Sequence, residues 1–597
     1  MGMRPMRWIW ALSVLLILLA GCGRDEPPPT PKKEKEPPAA DEKSQLPAQL
    51  VLKNGYIYTV DQDKRIAQAM AVHEGRIVYV GGDSGADAYV GPDTRVEDLA
   101  GRLVLPGFVD AHMHVRGLGN MVDLYGGRSI RDYQDAVAEF IRANPDRQVI
   151  VGKGWDNTVF AEQPPHKDQL DQVNDLIPIV LFSSDHHSIW TNSEALAAAG
   201  INSDTPEPEG GVIETDENGI AIGVLREQSA MALVEKIIPP KTEEDYRAEI
   251  REVLEQVTRW GITTLHDARI KPDIEAPKLA AYQKMAALND LTARVRASFE
   301  IGAETTPPQI EELKTISLKY QDDDFRIYSV KMFADGVVEG QTAFLKEPYL
   351  HRPDYRGKPL FSQEKINQLA KAANARGMQV QVHAIGDAAT KMALDAFAHS
   401  RDINGPADQR NGIAHLQVVD TGDLDLFEQT KTIAIVQPFW FVKERYYRDL
   451  ELPYLGPERA GREFPMKSLF ERGITVASSS DFPVEKPNSP LVGIQIGITR
   501  RALDAPADDP ERVLGADQRV TLEQMVESFT INGAFANRLE NDTGSLEVGK
   551  WADFIVLDKN LFQIPVEEIH RAKVLRTYYK GKPVYDADTE MGAEAGR

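Results

Sequence analysis

His112 and His114 stand two residues apart at the end of an apolar run, Pro106-Gly107-Phe108-Val109-Asp110-Ala111-His112-Met113-His114. Side chains on a strand alternate between faces, so both imidazoles project to one side and Met113 to the other. Two neutral imidazoles converging in this way suit a borderline divalent cation such as zinc. Two histidines that merely line a barrel would have the same spacing. Other metal-competent residues fall at or near the ends of separate apolar runs. Lys331 lies in Ser329-Val330-Lys331-Met332-Phe333, and His383 closes Gln379-Val380-Gln381-Val382-His383. His415 closes Gly412-Ile413-Ala414-His415, and Asp481 follows Thr475-Val476-Ala477-Ser478-Ser479-Ser480. If these runs are parallel strands of one barrel, their carboxyl ends open on one face, where these side chains would meet.

The elements needed to bring them together are legible as an alternation of strands and helices. Strand-like runs fall at 103–109, 262–265, 295–299, 327–333, 378–382, 412–414, 432–436 and 474–477, with helical patterns between them. Ile366, Leu369, Ala370 and Ala373 recur at helical spacing, with Ser362 as N-cap and Gly377 just past the end. Thr521 and Gln524 make a capping-box pair ahead of another helix. Eight strands in β/α alternation predict an α/β fold, a (β/α)8 TIM-like barrel over 105–539. The stretch 115–240 is too long for a barrel loop and is expected to form an inserted subdomain. Both chain ends read as short strands. Runs at 50–53 and 56–58 flank Asn54-Gly55, runs at 69–72 and 77–80 flank Glu74-Gly75, and runs at 574–579 and 584–585 flank Lys580-Gly581-Lys582. With the strand at 552–557, segments 47–104 and 540–589 are expected to build one composite β-sandwich.

The 597 residues carry a net charge of −23, which repels phosphate backbones and argues against nucleic-acid binding. The single cysteine, Cys22, rules out an intrachain disulfide. It closes a distinctive N-terminus in which Arg4 and Arg7 precede an apolar stretch at 8–20, ending Leu19-Ala20-Gly21-Cys22. Thirteen residues are short for a bilayer span but right for a signal-peptide core. The ending resembles a bacterial lipobox, which implies cleavage after residue 21 and acylation of Cys22; an uncleaved anchor or a buried cysteine is the alternative. Residues 1–22 are thus read as a lipoprotein signal. Residues 23–46, rich in Pro, Lys and Glu, are read as a disordered tether. Gly23 rather than Asp after the cysteine favours the periplasmic face of the outer membrane in the bacterial envelope. The sequence leaves the oligomeric state open, a homo-oligomer included.

Taken together the motifs resemble the amidohydrolase superfamily, and within it the amidohydrolase-3 group of YtcJ-like and N-substituted formamide deformylase-like proteins. Beyond Phe108 to His114, the marks are Gly152-Lys153-Gly154-Trp155-Asp156, Asp185-His186-His187-Ser188-Ile189-Trp190-Thr191-Asn192-Ser193, Lys331-Met332-Phe333-Ala334-Asp335-Gly336, and Gly544-Ser545-Leu546-Glu547-Val548-Gly549-Lys550-Trp551-Ala552-Asp553. The resemblance implies two divalent ions, usually zinc, one held by His112 and His114 and one by His383 and His415. It implies that Lys331 reacts with CO2 to give a carbamate bridging both ions, a lysine paired with Asp335 or Asp481 being the alternative. It further implies that Asp481, beside the first ion, moves a proton from metal-activated hydroxide to a leaving nitrogen. His187 would meet the carbonyl oxygen or oxyanion. In the family motif a glycine stands where this chain has His186, so either histidine is a candidate; Ser479 likewise replaces a glycine.

Trp155, Trp190 and Phe439-Trp440 are candidates for a hydrophobic substrate wall, with core packing as the plain alternative. Asp335 is a substrate-binding candidate, and 339–342 a pocket-entrance segment. His266 and Asp267 are candidates for orienting the ligands, whereas His73, His351, His399 and His570 match no site motif. The expected activity is hydrolysis of a carbon–nitrogen bond other than a peptide bond, in a small amide, N-substituted formamide or cyclic amide. The alternatives are a surface-displayed binding protein that kept the barrel but lost turnover, and a relative doing other chemistry at the same site.

Overall fold

The computed structural model describes residues 47–589 apart from 118–120, 161–163, 485–488 and 507–508. The expected signal peptide, Cys22 and the tether lie outside the described residues. Eight parallel strands form one sheet: β1 (Phe108–Met113), β2 (Ile262–Ile270), β3 (Arg294–Glu300), β4 (Phe325–Phe333), β5 (Gln379–Ala384), β6 (Gly412–His415), β7 (Ile433–Val436) and β8 (Val476–Ser478). Every position of β1 and of β2 is buried, as expected for strands covered on both faces. The sheet nearly closes. Beyond β8, Asp481 N–H donates to His112 O at 2.9 Å and His114 N–H to Phe482 O at 2.8 Å. The buried Asp110 carboxylate of β1 accepts the Ser480 N–H at 3.1 and 3.2 Å.

Register brings the chemistry to one end. Glu300 pairs with Lys331, Phe333 with His383, and Ala384 with His415. The helices form where their caps predict. Ser362 accepts from Lys365 N–H at the start of Gln363–Ala375, whose buried face includes Ile366, Leu369, Ala370 and Ala373. Thr521 and Gln524 make the reciprocal capping box of Leu522–Ser528.

The run at 103–109 is two strands, not one. Leu103–Pro106 joins a terminal sheet and Phe108 begins β1. Gly107 lies between them because a Cβ there would come within 2.2 Å of Thr263 Oγ1 in β2. Asn54-Gly55 does not close a hairpin either. Leu50–Lys53 pairs with Ala69–His73 and Arg95–Asp98, whereas Tyr56–Tyr58 pairs with Leu103–Pro106 and Ile66–Ala67 in the other sheet. The first sheet is built wholly from the N-terminal segment and the second combines strands from both chain ends; the two share a core of Leu52, Ile57, Met70, Val104, Phe554 and Val556.

Between β1 and β2 the chain builds a further six-stranded sheet, running from Val122–Asp123 through Ile150–Trp155, Ile179–Ser183, Ser188–Thr191 and Ala221–Arg226 to Val212–Thr215.

Candidate metal centre and substrate cavity

The strand ends bring His112, His114, Lys331, His383, His415 and Asp481 to one place. Asp481 Oδ1 lies 3.3 Å from His114 Nε2 and 3.5 Å from His112 Nε2, and Lys331 Nζ lies 3.1 Å from His112 Nε2. The His415 ring is 5.2 Å from that of His112 and 4.5 Å from that of His383. His415 Nδ1 faces Gln437 Oε1 at 3.0 Å, and His383 Nε2 faces Gly336 O at 3.0 Å, which fixes both rings. His415 and Asp481 have φ of +82° and +54°, a backbone region costly for residues with a Cβ and concentrated at functional sites.

Burial sets the charge states. It drives His112, His114, His383 and His415 well below the ordinary imidazole range, leaving them neutral and able to ligate. It lowers Lys331 to about 7 against the pull of Asp481, and raises Asp481 to about 7 against the pull of Lys331.

The residues fit a divalent ion. One donor atom from each of His112, His114 and Asp481 lies within 4.8 Å of the others, and Asp481 Oδ1 is buried without a hydrogen-bond partner. Ligands about 2.0–2.1 Å from a tetrahedral ion stand roughly 3.3 Å apart, so the spacing of Asp481 from the two imidazoles is that of a coordination edge.

A cavity of about 2090 Å³ opens over this centre, lined by His114, Lys331, His383, His415 and Asp481 among others. His186 and His187 both line it. Both ring nitrogens of His186 are buried without partners, and its ring lies 6.5 Å from that of His114. His187 Nδ1 pairs with Glu227 Oε2 at 3.0 Å, and its ring lies 5.4 Å from that of His383. Burial pulls His187 down, but Glu227 outweighs it and raises the imidazole to about 9.

Nothing in the sequence singled out Glu227. It follows the strand Ala221–Arg226 with φ +62°, and the left-handed turn is what aims it at His187. Asp110 was missed for a similar reason, since its contact with Ser480 exists only once the barrel closes.

Other candidates lie elsewhere. Trp155 and Trp190 are fully buried and do not line the cavity; they pack with Phe160, at ring distances of 5.4 and 5.1 Å, inside the inserted region. Their indole N–H groups are taken by Leu181 O and His166 O. Asp335 is also buried away from the cavity lining, and its carboxylate accepts the N–H groups of Phe344, Ile385 and Gly386. None of these three residues lines the cavity, although Asp335 Oδ1 lies 3.7 Å from His383 Nε2. Trp440 does line the cavity, stacked on His415 at 5.4 Å, whereas Phe439 is turned toward Phe529. Residues 339–342 line the cavity as well. His266 is held by Asn537 and Ser298, each at 2.8 Å, and Asp267 is ion-paired with Lys278 at 2.7 Å.

Comparison with known proteins identifies the family. The amidohydrolase family model matches residues 95–585. The YtcJ protein of Bacillus subtilis (strain 168) is 30% identical over 89% of this chain and 98% of its own length. The N-substituted formamide deformylase of Arthrobacter pascens is 25% identical over 90% of this chain and 98% of its own. The crystal structure of an uncharacterized metal-dependent hydrolase from Pyrococcus furiosus, 26% identical, superposes with a TM-score of 0.66 over 86% of this chain and 99% of that one. The chain belongs to the amidohydrolase family.

Proposed function

We propose that this protein is a metal-dependent hydrolase cleaving a carbon–nitrogen bond, other than a peptide bond, in a small amide or N-substituted formamide. The observation that carries the reading is the meeting of His112, His114 and Asp481 within 4.8 Å, at the floor of a large cavity. The name of the Arthrobacter relative supports the substrate class. His112, His114 and Asp481 would hold one divalent ion, and His383 and His415 a second, zinc being the natural occupant of such a donor set. Lys331, driven toward its neutral amine by burial, is suited to capture CO2 as a carbamate between them. A divalent ion there supplies Lewis acidity and acidifies water.

The chain's own groups do the rest. Asp481 takes a proton from the attacking water and delivers it to the leaving nitrogen. His187, kept protonated by Glu227, donates a hydrogen bond to the carbonyl oxygen as it gains negative charge. We further propose that Cys22 carries a lipid anchor.

Metal content and turnover of a panel of N-acyl amines test the reading. Two ions per chain with hydrolysis are expected. Tight metal binding without turnover across the panel would instead favour a binding protein. In Lys331→Ala, with or without bicarbonate, the metal content should fall below two; an unchanged stoichiometry refutes the bridging carbamate.

A further inference from the structure

One end of the cavity carries an acidic pair that the proposed hydrolysis does not use. Gln417, two residues beyond His415, donates its amide to two carboxylates at once, Glu451 Oε1 at 2.8 Å and Glu463 Oε1 at 2.9 Å. Glu451 faces the cavity from the end of a π-helical turn, Tyr447–Glu451, an irregularity frequent at functional sites. Glu463 lies behind it, fully buried, and its Oε2 has no hydrogen-bond partner among the described residues. No Lys, Arg or His forms an ion pair with either carboxylate among the described residues. The buried Arg500 guanidinium donates to Glu463 O, Phe464 O and Leu514 O while lying over Phe441; its charge is felt by Glu463, but it makes no ion pair with either carboxylate.

Aromatic rings border the pair on the cavity side. Trp440, stacked on His415, lies 6.5 Å from Phe464, and Tyr454 lines the same wall. Two adjacent carboxylates with one amide between them are unfavourable as a doubly charged pair in a buried wall unless a cation pairs with them directly. Aromatic faces beside carboxylates suit an organic cation, which draws on both the charge and the ring quadrupoles.

We propose that this end of the cavity is a subsite for an organic ammonium group, so that the preferred substrate is an amide whose far arm ends in a cation. The inference rests on reading this cavity as the substrate cavity. Trp440 touches the metal-centre residue His415 on one side and neighbours Phe464, next to Glu463, on the other, so the scissile bond would sit by His415 and the cation by the acidic pair. In the absence of a cation, burial and then repulsion from Glu339 raise Glu451 to about 8, and burial and then repulsion from Glu451 raise Glu463 well above the ordinary carboxylate range. The pair then holds a proton in the place of the cation.

Calorimetric binding of choline and of its neutral carbon isostere, 3,3-dimethylbutan-1-ol, to the zinc-loaded full chain tests this. A quaternary ammonium cannot ligate the metal, so the comparison reads the wall alone. Choline is expected to bind at least tenfold more tightly than the alcohol in the wild type. That ratio should fall at least fivefold in Glu451→Gln and in Glu463→Gln. Equal affinities in the wild type would overturn the proposal, as would a ratio unchanged in both variants. The wild-type contrast stands even if a variant fails to fold. No turnover is read, so an error in the hydrolase reading would leave the choline preference intact and show instead as absent hydrolysis.

Discussion

An imidazole packed among other imidazoles is pushed toward its neutral form by burial unless carboxylates oppose it, and for His187 Glu227 is the largest opposing influence, ahead of Asp185 and Glu339. Glu227→Gln keeps the shape and removes the charge. It is expected to lower kcat by about 10²-fold, the scale of losing one oxyanion donor, with KM and metal content little changed. Loss of metal instead would show that Glu227 supports the centre rather than His187. The Glu451–Glu463 pair makes a prediction about stability. Its protonated form is favoured in the fold, Glu451 being raised from 4.5 to about 8. The resulting stability is fully present below the ordinary glutamate value and is lost as pH rises through about 8. Between pH 6 and 9 the wild-type Tm should therefore fall more steeply than that of Glu451→Gln/Glu463→Gln. Parallel slopes would show that the pair does not titrate as a unit.

At the scale of elements, Asp553 explains why a motif far from the chemistry recurs in the resemblance. It immediately precedes the strand Phe554–Leu557, and its carboxylate pairs with Arg294 of β3 at 2.8 Å, both side chains being buried. It also accepts from Thr543 Oγ1 and from Lys580 N–H, so one carboxylate ties a terminal sheet to the barrel. Asp553→Asn leaves Arg294 without a buried counter-charge and should cost about 3–5 kcal/mol, read by denaturant unfolding. A loss below about 1 kcal/mol would show that the pair is not what joins them. The barrel itself was legible because its strands are short apolar runs ending in metal-competent residues, and the caps at Ser362 and Thr521 are local signals. Partner choice was not. Asn54-Gly55 marks a turn in the sequence, but whether its flanking strands pair depends on which sheet each one finds. Trp155 and Trp190 looked like cavity wall because an indole buried in a core and one facing a substrate have the same sequence signature. Glu227 was hidden because it reaches His187 across 40 residues.

At the scale of the whole molecule, the proposed lipid anchor is carried by the N-terminal charges, the apolar stretch and the Leu19-Ala20-Gly21-Cys22 ending. On that proposal they direct export and anchoring, and the Pro- and Lys-rich residues that follow would hold a folded unit off a lipid surface. Acyl chains supply about 0.8 kcal/mol per buried methylene, and a cysteine carrying more than one chain holds a soluble protein on the membrane where a single chain does not. In a bacterial host able to process lipoproteins, the wild type should pellet with membranes and release only with detergent. Cys22→Ser should leave the chain uncleaved at residue 21 and without acyl mass. Intact-mass spectrometry of the two forms decides the matter: a wild-type N-terminus at residue 22 heavier by the acyl groups is the expected result. A wild type of unmodified mass in the soluble fraction would remove the anchor from the account and leave the metal centre untouched.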